Sequence, residues 1–245
     1  MITLDHPGPE GGSDPVSDNA LNIPVTPRRP RRPRQTSVER RTQAERSAET
    51  RRKLIDAAIA VLHRVGYGAT TTGLIAEEAG VSRGAMLHQY PTKVDLMLAV
   101  VSEVYDRETE EYRRRGAMAA SPRDRFFQFP ELMWDVLTRP SAMAVLEIMM
   151  GSRSDPDLAA RLVPLERQIE ATSRATIDQI LKDGGFPDLP EMNAMRRLFV
   201  AAVRGLSIDL MLVKDRKELE EAIELLQRLL RALYEGRVPP ASPSP

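Results

Sequence analysis

The sequence predicts an all-α chain. Three observations carry that expectation. Apolar residues recur at three- and four-residue steps, no stretch sustains period-two alternation, and Gly and Pro fall almost always between the periodic segments. Aromatic residues are 4% of 245, so a core must come from Leu, Ala, Val, Ile and Met, a bias toward helix over sheet. No internal repeat is visible.

The elements follow in order. Residues 1–42 hold Gly11-Gly12, repeated prolines and the Pro27–Pro33 run Pro-Arg-Arg-Pro-Arg-Arg-Pro, which cannot pack; a disordered basic arm is expected. The first helix is expected over Gln43–Val65, with Leu54, Ala58, Val61, Leu62 and Val65 as its apolar stripe and Gly66 as its C-cap. Thr71 or Thr72 can cap a second helix running to Ala79. Ser82 can cap a third over Arg83–Tyr90, and Thr92 a long one over Lys93–Ala119. Beyond Ser121-Pro122, helices are expected over 123–138, 141–151, 156–184, 190–213 and 216–234, with Pro164 as a kink or boundary in the third of these. Residues 236–245 read as a disordered tail.

Net charge is zero, with 35 basic and 35 acidic residues, but it is unevenly placed. Eleven basic residues stand against three acidic ones between Arg28 and Lys53. Such a run suits a polyanionic partner, and equally a solvated tail. With no cysteine there is no disulfide framework, thiol nucleophile or cysteine metal site. His6, His63 and His88 are scattered, and no phosphate-binding glycine loop or zinc motif occurs, so no enzyme, cofactor or metal is expected. No apolar run approaches a membrane span, and residues 1–20 lack the pattern of a signal peptide; the expectation is a soluble, cytoplasmic protein.

The informative segment is Gly66–Lys93. Two short helices flank a turn at Gly80-Val81-Ser82. Ala76 is small where the helices cross, Gly80 can take positive φ, and Ile75, Val81 and Met86 can fill the core between them. This is a helix-turn-helix, which presents its second helix to the DNA major groove. Tyr67 and Tyr90 read as core, and Thr70 as a turn residue.

From about Arg51 to Leu98 the sequence resembles the DNA-binding domain of TetR/AcrR-type transcriptional regulators. The matching features are Leu54-Ile55-Asp56-Ala57-Ala58, Gly66-Tyr67, Thr70-Thr71-Thr72, Ile75-Ala76, Ala79-Gly80-Val81-Ser82, Gly84, Tyr90, Lys93 and Leu96. The resemblance implies a three-helix DNA-binding domain at 43–98, with its motif at about 71–90, followed by a helical effector-binding and dimerisation domain at 99–235. It implies a double-stranded DNA operator met by Thr71, Thr72, Ser82, Arg83, Gly84, Ala85, His88, Gln89, Thr92 and Lys93. Arg83 suits a guanine edge, Ala85 a thymine methyl, and Lys93 a phosphate. His88 as a metal ligand has no second ligand spaced near it. The chain departs from the family at Leu87 and Gln89, where tyrosine and histidine are frequent, and at Gly73, where some relatives carry a base-reading side chain.

In the larger domain, the resemblance and the apolar width of the last two helices together imply a homodimer seam including Leu198, Ala202, Leu206, Leu226 and Leu230. Core within one chain is the alternative. Phe126, Phe129, Met133, Trp134, Met149 and Met150 can line a cavity for a small hydrophobic or amphipathic effector, and each can equally be packed core. Glu147 and Arg153 are the polar candidates beside it. The functional expectation is a dimeric repressor released from a pseudo-palindromic operator by that effector, with the Lys93–Ala119 helix as lever. The alternatives are a regulator without a ligand and a helical protein-interaction module.

Overall fold

The computed structural model describes residues 42–187, 192–213 and 215–235. The basic arm and the 236–245 tail lie outside the described residues. Among the described residues there are ten helices and no strand.

Helix α1 spans Gln43–Ala69. Thr42 and Glu45 form a reciprocal capping box that satisfies two of its free amides. The chain bends at Gly66, whose φ of 74° suits glycine, and makes one more turn. Of the expected stripe, Leu54, Ala58, Val61 and Leu62 are buried, whereas Val65 is exposed just before the bend. Helices α2 (Thr72–Glu78) and α3 (Arg83–Gln89) are capped by the hydroxyls of Thr71 and Ser82. Between them Gly80 takes φ 64°, its amide bonds Glu77 O and the Val81 amide bonds Ala76 O, a Schellman turn. Ile75 and Met86 are fully buried behind it.

Helix α4 (Lys93–Gly116) begins with a second capping box, Thr92 with Asp95, and ends on Arg113, Arg114 and Arg115, which complement the negative end of its dipole. The segment expected as one helix over 123–138 is two, α5 (Pro122–Phe127) and α6 (Phe129–Leu137). Pro130 has no amide to bond Phe126 O, so the ladder breaks there. Helix α7 is Pro140–Gly151 and α8 is Pro156–Asp183, continuous through Pro164. Helix α9 (Met192–Asp209) stops a turn before its expected end, and α10 is Arg216–Tyr234.

The core behind α1, α2 and α3 continues into the later helices. Leu54, Leu62, Ile75 and Met86 belong to one buried cluster with Ala144 and Ile148 of α7 and Leu158 and Leu162 of α8. Tyr67 sits at that join. Its amide donates to Glu147 Oε2 at 2.9 Å and its hydroxyl to Asp155 Oδ2 at 2.6 Å. Lys93 Nζ lies 3.7 Å from the ring centroid and donates to the Tyr67 carbonyl at 2.8 Å. Burial first, and then the bond to Asp155, push the Tyr67 hydroxyl pKa well above its ordinary range, so it stays a donor. Glycine at 151 lets the ring lie on α7, because a Cβ there would overlap Tyr67 Cδ1 and Cγ.

Gly151→Ala is therefore expected to destabilise the protein by about 1–3 kcal/mol through overpacking. Gly68→Ala, where an added methyl meets nothing within 4 Å, should change stability little. Urea unfolding midpoints of the two variants make the comparison.

Candidate nucleic-acid interface and adjoining cavity

Helix α3 is short, and its rigidity comes from its neighbours. Met86 anchors its inner face, and Tyr90 closes its end with 9% exposure. Its outer face carries Arg83, Gly84, Leu87 and His88, all exposed. Arg83 makes no hydrogen bond or ion pair among the described residues, so its five donors stand free at the open end of the helix. Ala85 is half-buried beside it.

The expected contact residues differ in what the protein already asks of them. The Thr71 and Ser82 hydroxyls accept the amides of Leu74 and Ala85, which leaves each hydroxyl proton available. Thr92 differs, since its hydroxyl also donates to Asp95 Oδ2 at 2.8 Å. Gln89 is turned inward: its Oε1 accepts from Ser47 Oγ at 3.2 Å and from Arg51 Nε at 2.8 Å, tying the end of α3 to α1. Lys93 is likewise engaged with Tyr67, and burial lowers its pKa against the pull of Asp155. Gln89 and Lys93 thus brace the head. Ser47 and Arg51 are the residues missed in the sequence; their register with α3, 38 to 42 positions away, leaves no local signal.

A cavity of about 670 Å³ opens between α4, α6, α7, α8 and α9, and a chamber of about 90 Å³ lies beside it between α4, α6, α7, α8 and α9. Of the residues expected to line an effector cavity, Phe129, Met133 and Met149 border this one. Three other candidates do not. Phe126 is packed in an aromatic cluster with Phe186 and Tyr234, each 4.9 Å away centroid to centroid. Trp134 is buried against Val203, Leu219 and Ile223. Met150, a 100° turn round α7 from Met149, is 52% exposed. Glu147 serves Tyr67, and Arg153 is exposed.

The polar lining was not foreseen. Glu108, Glu166 and Arg204 border both spaces, with Tyr105. Glu108 has no hydrogen bond or ion pair among the described residues. Burial pushes its carboxyl up to about 7, against the attraction of Arg139 and Arg204. Burial raises Glu166 too, opposed by Arg204 and aided by Glu170. A signal did exist: Val101, Val104, Tyr105, Glu108 and Tyr112 fall on one face of α4, so a carboxylate lies on an apolar stripe.

The seam residues also divide. Leu198 is 64% exposed and Ala202 half-buried, on the outer face of α9. Leu206 and Leu226 pack inward on a cluster with Met133 and Trp134, and Leu230 is buried with Phe126 and Phe127. The outward leucines of α10 are Leu225 and Leu229. On α9, Leu198, Ala201, Gly205 and Ile208 follow at three- and four-residue steps, and on α10 Leu225 and Leu229 are one turn apart.

Among the described residues no helix is long and apolar enough to cross a membrane, and no group of acids and histidines could hold a metal ion.

Residues 54–100 match the family described as bacterial regulatory proteins, tetR family, and residues 122–235 match the C-terminal domain of BetI-type transcriptional repressors. The HTH-type transcriptional regulator CymR of Pseudomonas putida is 30% identical over 201 residues, covering 81% of this chain and 97% of that protein. Two solved structures share the fold. A putative transcriptional regulator of Saccharomonospora viridis in complex with choline superimposes with a TM-score of 0.60 at 20% identity, over 75% of this chain and 96% of that one. The TetR-like regulator LfrR of Mycobacterium smegmatis in complex with proflavine does so with 0.53 at 23%, over 74% and 95%.

A pH dependence follows from Glu108. Its folded pKa is raised from 4.5 to about 7, so between these values the native state holds a proton that the unfolded chain has lost. Stability therefore falls as pH rises through this window, and the penalty is complete above it. Glu108→Gln removes that penalty. The variant should exceed the parent in stability at pH 8 by about 1–3 kcal/mol, and the gap should narrow at pH 5, as read from urea unfolding at both pH values.

Proposed function

This chain belongs to the TetR family of bacterial regulatory proteins, DNA-binding regulators of transcription, and we propose that it acts as a homodimeric repressor released from a pseudo-palindromic operator by a small organic effector. The observation that carries the DNA reading is Arg83, a free guanidinium at the exposed start of a helix whose inner face is locked. Arg83 takes a guanine edge, Ala85 a thymine methyl, and Thr71, Thr72, Ser82, Gly84 and His88 the flanking backbone and bases. Thr92 and the free amides at the start of α4 meet a phosphate.

A short α3 reads only a few bases, so two copies are needed to define an operator. The unpartnered stripe of Leu198, Ala201, Gly205, Ile208, Leu225 and Leu229 supports a two-fold helical seam, with the small residues allowing close approach. The cavity supports an effector, and two structural neighbours hold small organic molecules.

The route from cavity to DNA runs through α7 as well as α4. Met149 lines the cavity, while Glu147 and Gly151, two residues to either side, hold Tyr67. A ligand that favours another seat for Met149 shifts the population toward a head orientation that no longer matches the operator.

Arg83→Ala should weaken binding to the specific operator about 5- to 150-fold, the equivalent of ~1–3 kcal/mol, with little effect on a scrambled duplex. Fluorescence anisotropy on both duplexes tests this, and equal losses on both would remove Arg83 as a base reader. The double change Leu198→Asp with Leu229→Asp, at exposed positions, should convert a dimer to a monomer in sedimentation and cost more than tenfold in operator affinity. A parent already monomeric at micromolar concentration would overturn the dimer.

A further inference from the structure

We propose that residues 28–53 are a second DNA-binding element, in which the start of α1 crosses the phosphate backbone beside α3 and the arginine arm before it enters the flanking minor groove. This rests on the reading that α3 lies in the major groove, and it extends each half-site beyond the bases that α3 reaches.

The arm lies outside the described residues, but the point from which it departs does not. None of residues 43–53 is buried, and burial on α1 begins at Leu54. About three helical turns thus stand clear of the core that stabilises the rest of the helix. Local bonds hold them. Thr42 and Glu45 cap the first turn, Glu49 pairs with Lys53 at 3.1 Å, and Ser47 and Arg51 bond Gln89 at the end of α3. The bonds to Gln89 pin these turns against α3 itself. Thr42 precedes Ser47 by only about 7–8 Å along the helix axis, so the chain enters α1 beside the end of α3.

Charge points to the partner. The chain has no net charge, yet eleven basic residues stand against three acidic ones between Arg28 and Lys53. Two of those acids, Glu45 and Glu49, are engaged within α1. Arg46 and Arg52 are exposed and make no ion pair among the described residues. A polyanion beside α3 meets this charge at the place where α3 meets DNA.

The sequence of the arm points to the groove. Pro27, Pro30 and Pro33 fall at every third residue, with two arginines in each interval. Proline has no amide to sustain a helix, so the form such a chain offers a partner is extended. An extended chain fits a minor groove about 6 Å wide, where the negative potential of narrow A·T tracts favours arginine. The segment from Arg34 to Thr42 spans at most about 26–29 Å, enough to cross one backbone from a major groove about 12 Å wide.

The test is fluorescence anisotropy on the full chain over a range of KCl concentrations. The duplex is one that the protein selects from random DNA, with the pairs flanking its half-sites replaced by A·T, G·C or inosine·C. Inosine lacks the 2-amino group of guanine, so it alters the minor groove and keeps the major-groove acceptors. The five changes Arg28→Gln, Arg29→Gln, Arg31→Gln, Arg32→Gln and Arg34→Gln, made together, should lower the slope of log K against log salt by about 2–4 per protomer. They should weaken binding about tenfold or more near physiological salt. The parent should bind A·T and inosine·C flanks about threefold or more tighter than G·C flanks, and the five-fold Gln variant should bind all three alike. Lysine at the same five positions should keep most of the slope. Arg46→Gln should lower it by about 1 per protomer, equally on every flank. All variants should melt with the parent. An unchanged slope in the five-fold Gln variant or in Arg46→Gln would overturn the proposal, and so would a parent that binds G·C and inosine·C flanks equally. Arg83→Ala in the same assay separates this element from α3. If Arg83→Ala weakens specific binding while the five-fold variant matches the parent, only the arm falls. If the five-fold variant weakens binding and Arg83→Ala does not, the α3 reading falls and this proposal with it.

Discussion

The orientation of the reading head depends on Tyr67. Its ring needs the missing Cβ of Gly151, its amide needs Glu147, its hydroxyl needs Asp155, and Lys93 closes over its outer face. The bend that puts the amide in reach comes from Gly66 at positive φ, where a Cβ would also lie 3.0 Å from Glu147 Oε2. Two glycines, far apart in sequence, thus serve one tyrosine. Around this anchor, Arg161 donates to Asp95 at the start of α4 at 2.7 Å and Arg107 donates to Asp56 on α1 at 2.8 Å. These exposed pairs add little energy by themselves, but they act on helices that Tyr67 has already aligned.

The cavity shows the opposite economy. A well-packed apolar body would be more stable without Glu108, Glu166 and Arg204 at its centre. Desolvation wins over the attraction of Arg139 and Arg204 at Glu108, which is why its carboxyl titrates near neutrality. The burial of acids without direct partners beside an open space is a standing cost to folding.

Much of the fold was legible in the sequence because its signals were local. Thr42 and Glu45, Thr71, Ser82 and Thr92 are caps that act within three residues, and Gly80 marks its own turn. The split at Pro130 was equally local, and was obscured by apolar residues on both sides that kept helical spacing through it. The functional residues were less legible where they depend on distant partners. Arg83 was singled out by its place at the start of α3, a local feature. Gln89 and Lys93, expected as contacts, also bond Ser47, Arg51 and Tyr67, partners that nothing in their local sequence announces. On α10, Leu226 and Leu230 lie next to Leu225 and Leu229, and apolar width alone cannot say which pair faces out. Glu108 shows that a charge on an apolar stripe carries more information than the stripe itself.

These features bear on how far a cavity event can reach. Under the proposed mechanism a ligand acts only through its differential affinity for two arrangements of the body. A tenfold change in operator affinity requires about 1.4 kcal/mol of such difference, and a near-complete switch about 5.5 kcal/mol. One displaced methionine does not supply the larger figure. Moving Met149 also moves the helix that holds Glu147 and Gly151, and there the alternatives are discrete. The Tyr67 ring either lies on a glycine or meets a side chain, and its amide is either bonded to a carboxylate or left without it. The proposed mechanism thus requires this close-packed join to be bistable rather than compliant, so that a shift of under an ångström in α7 is either resisted or propagated whole. The same contacts that hold the head in register are the ones through which it could be released.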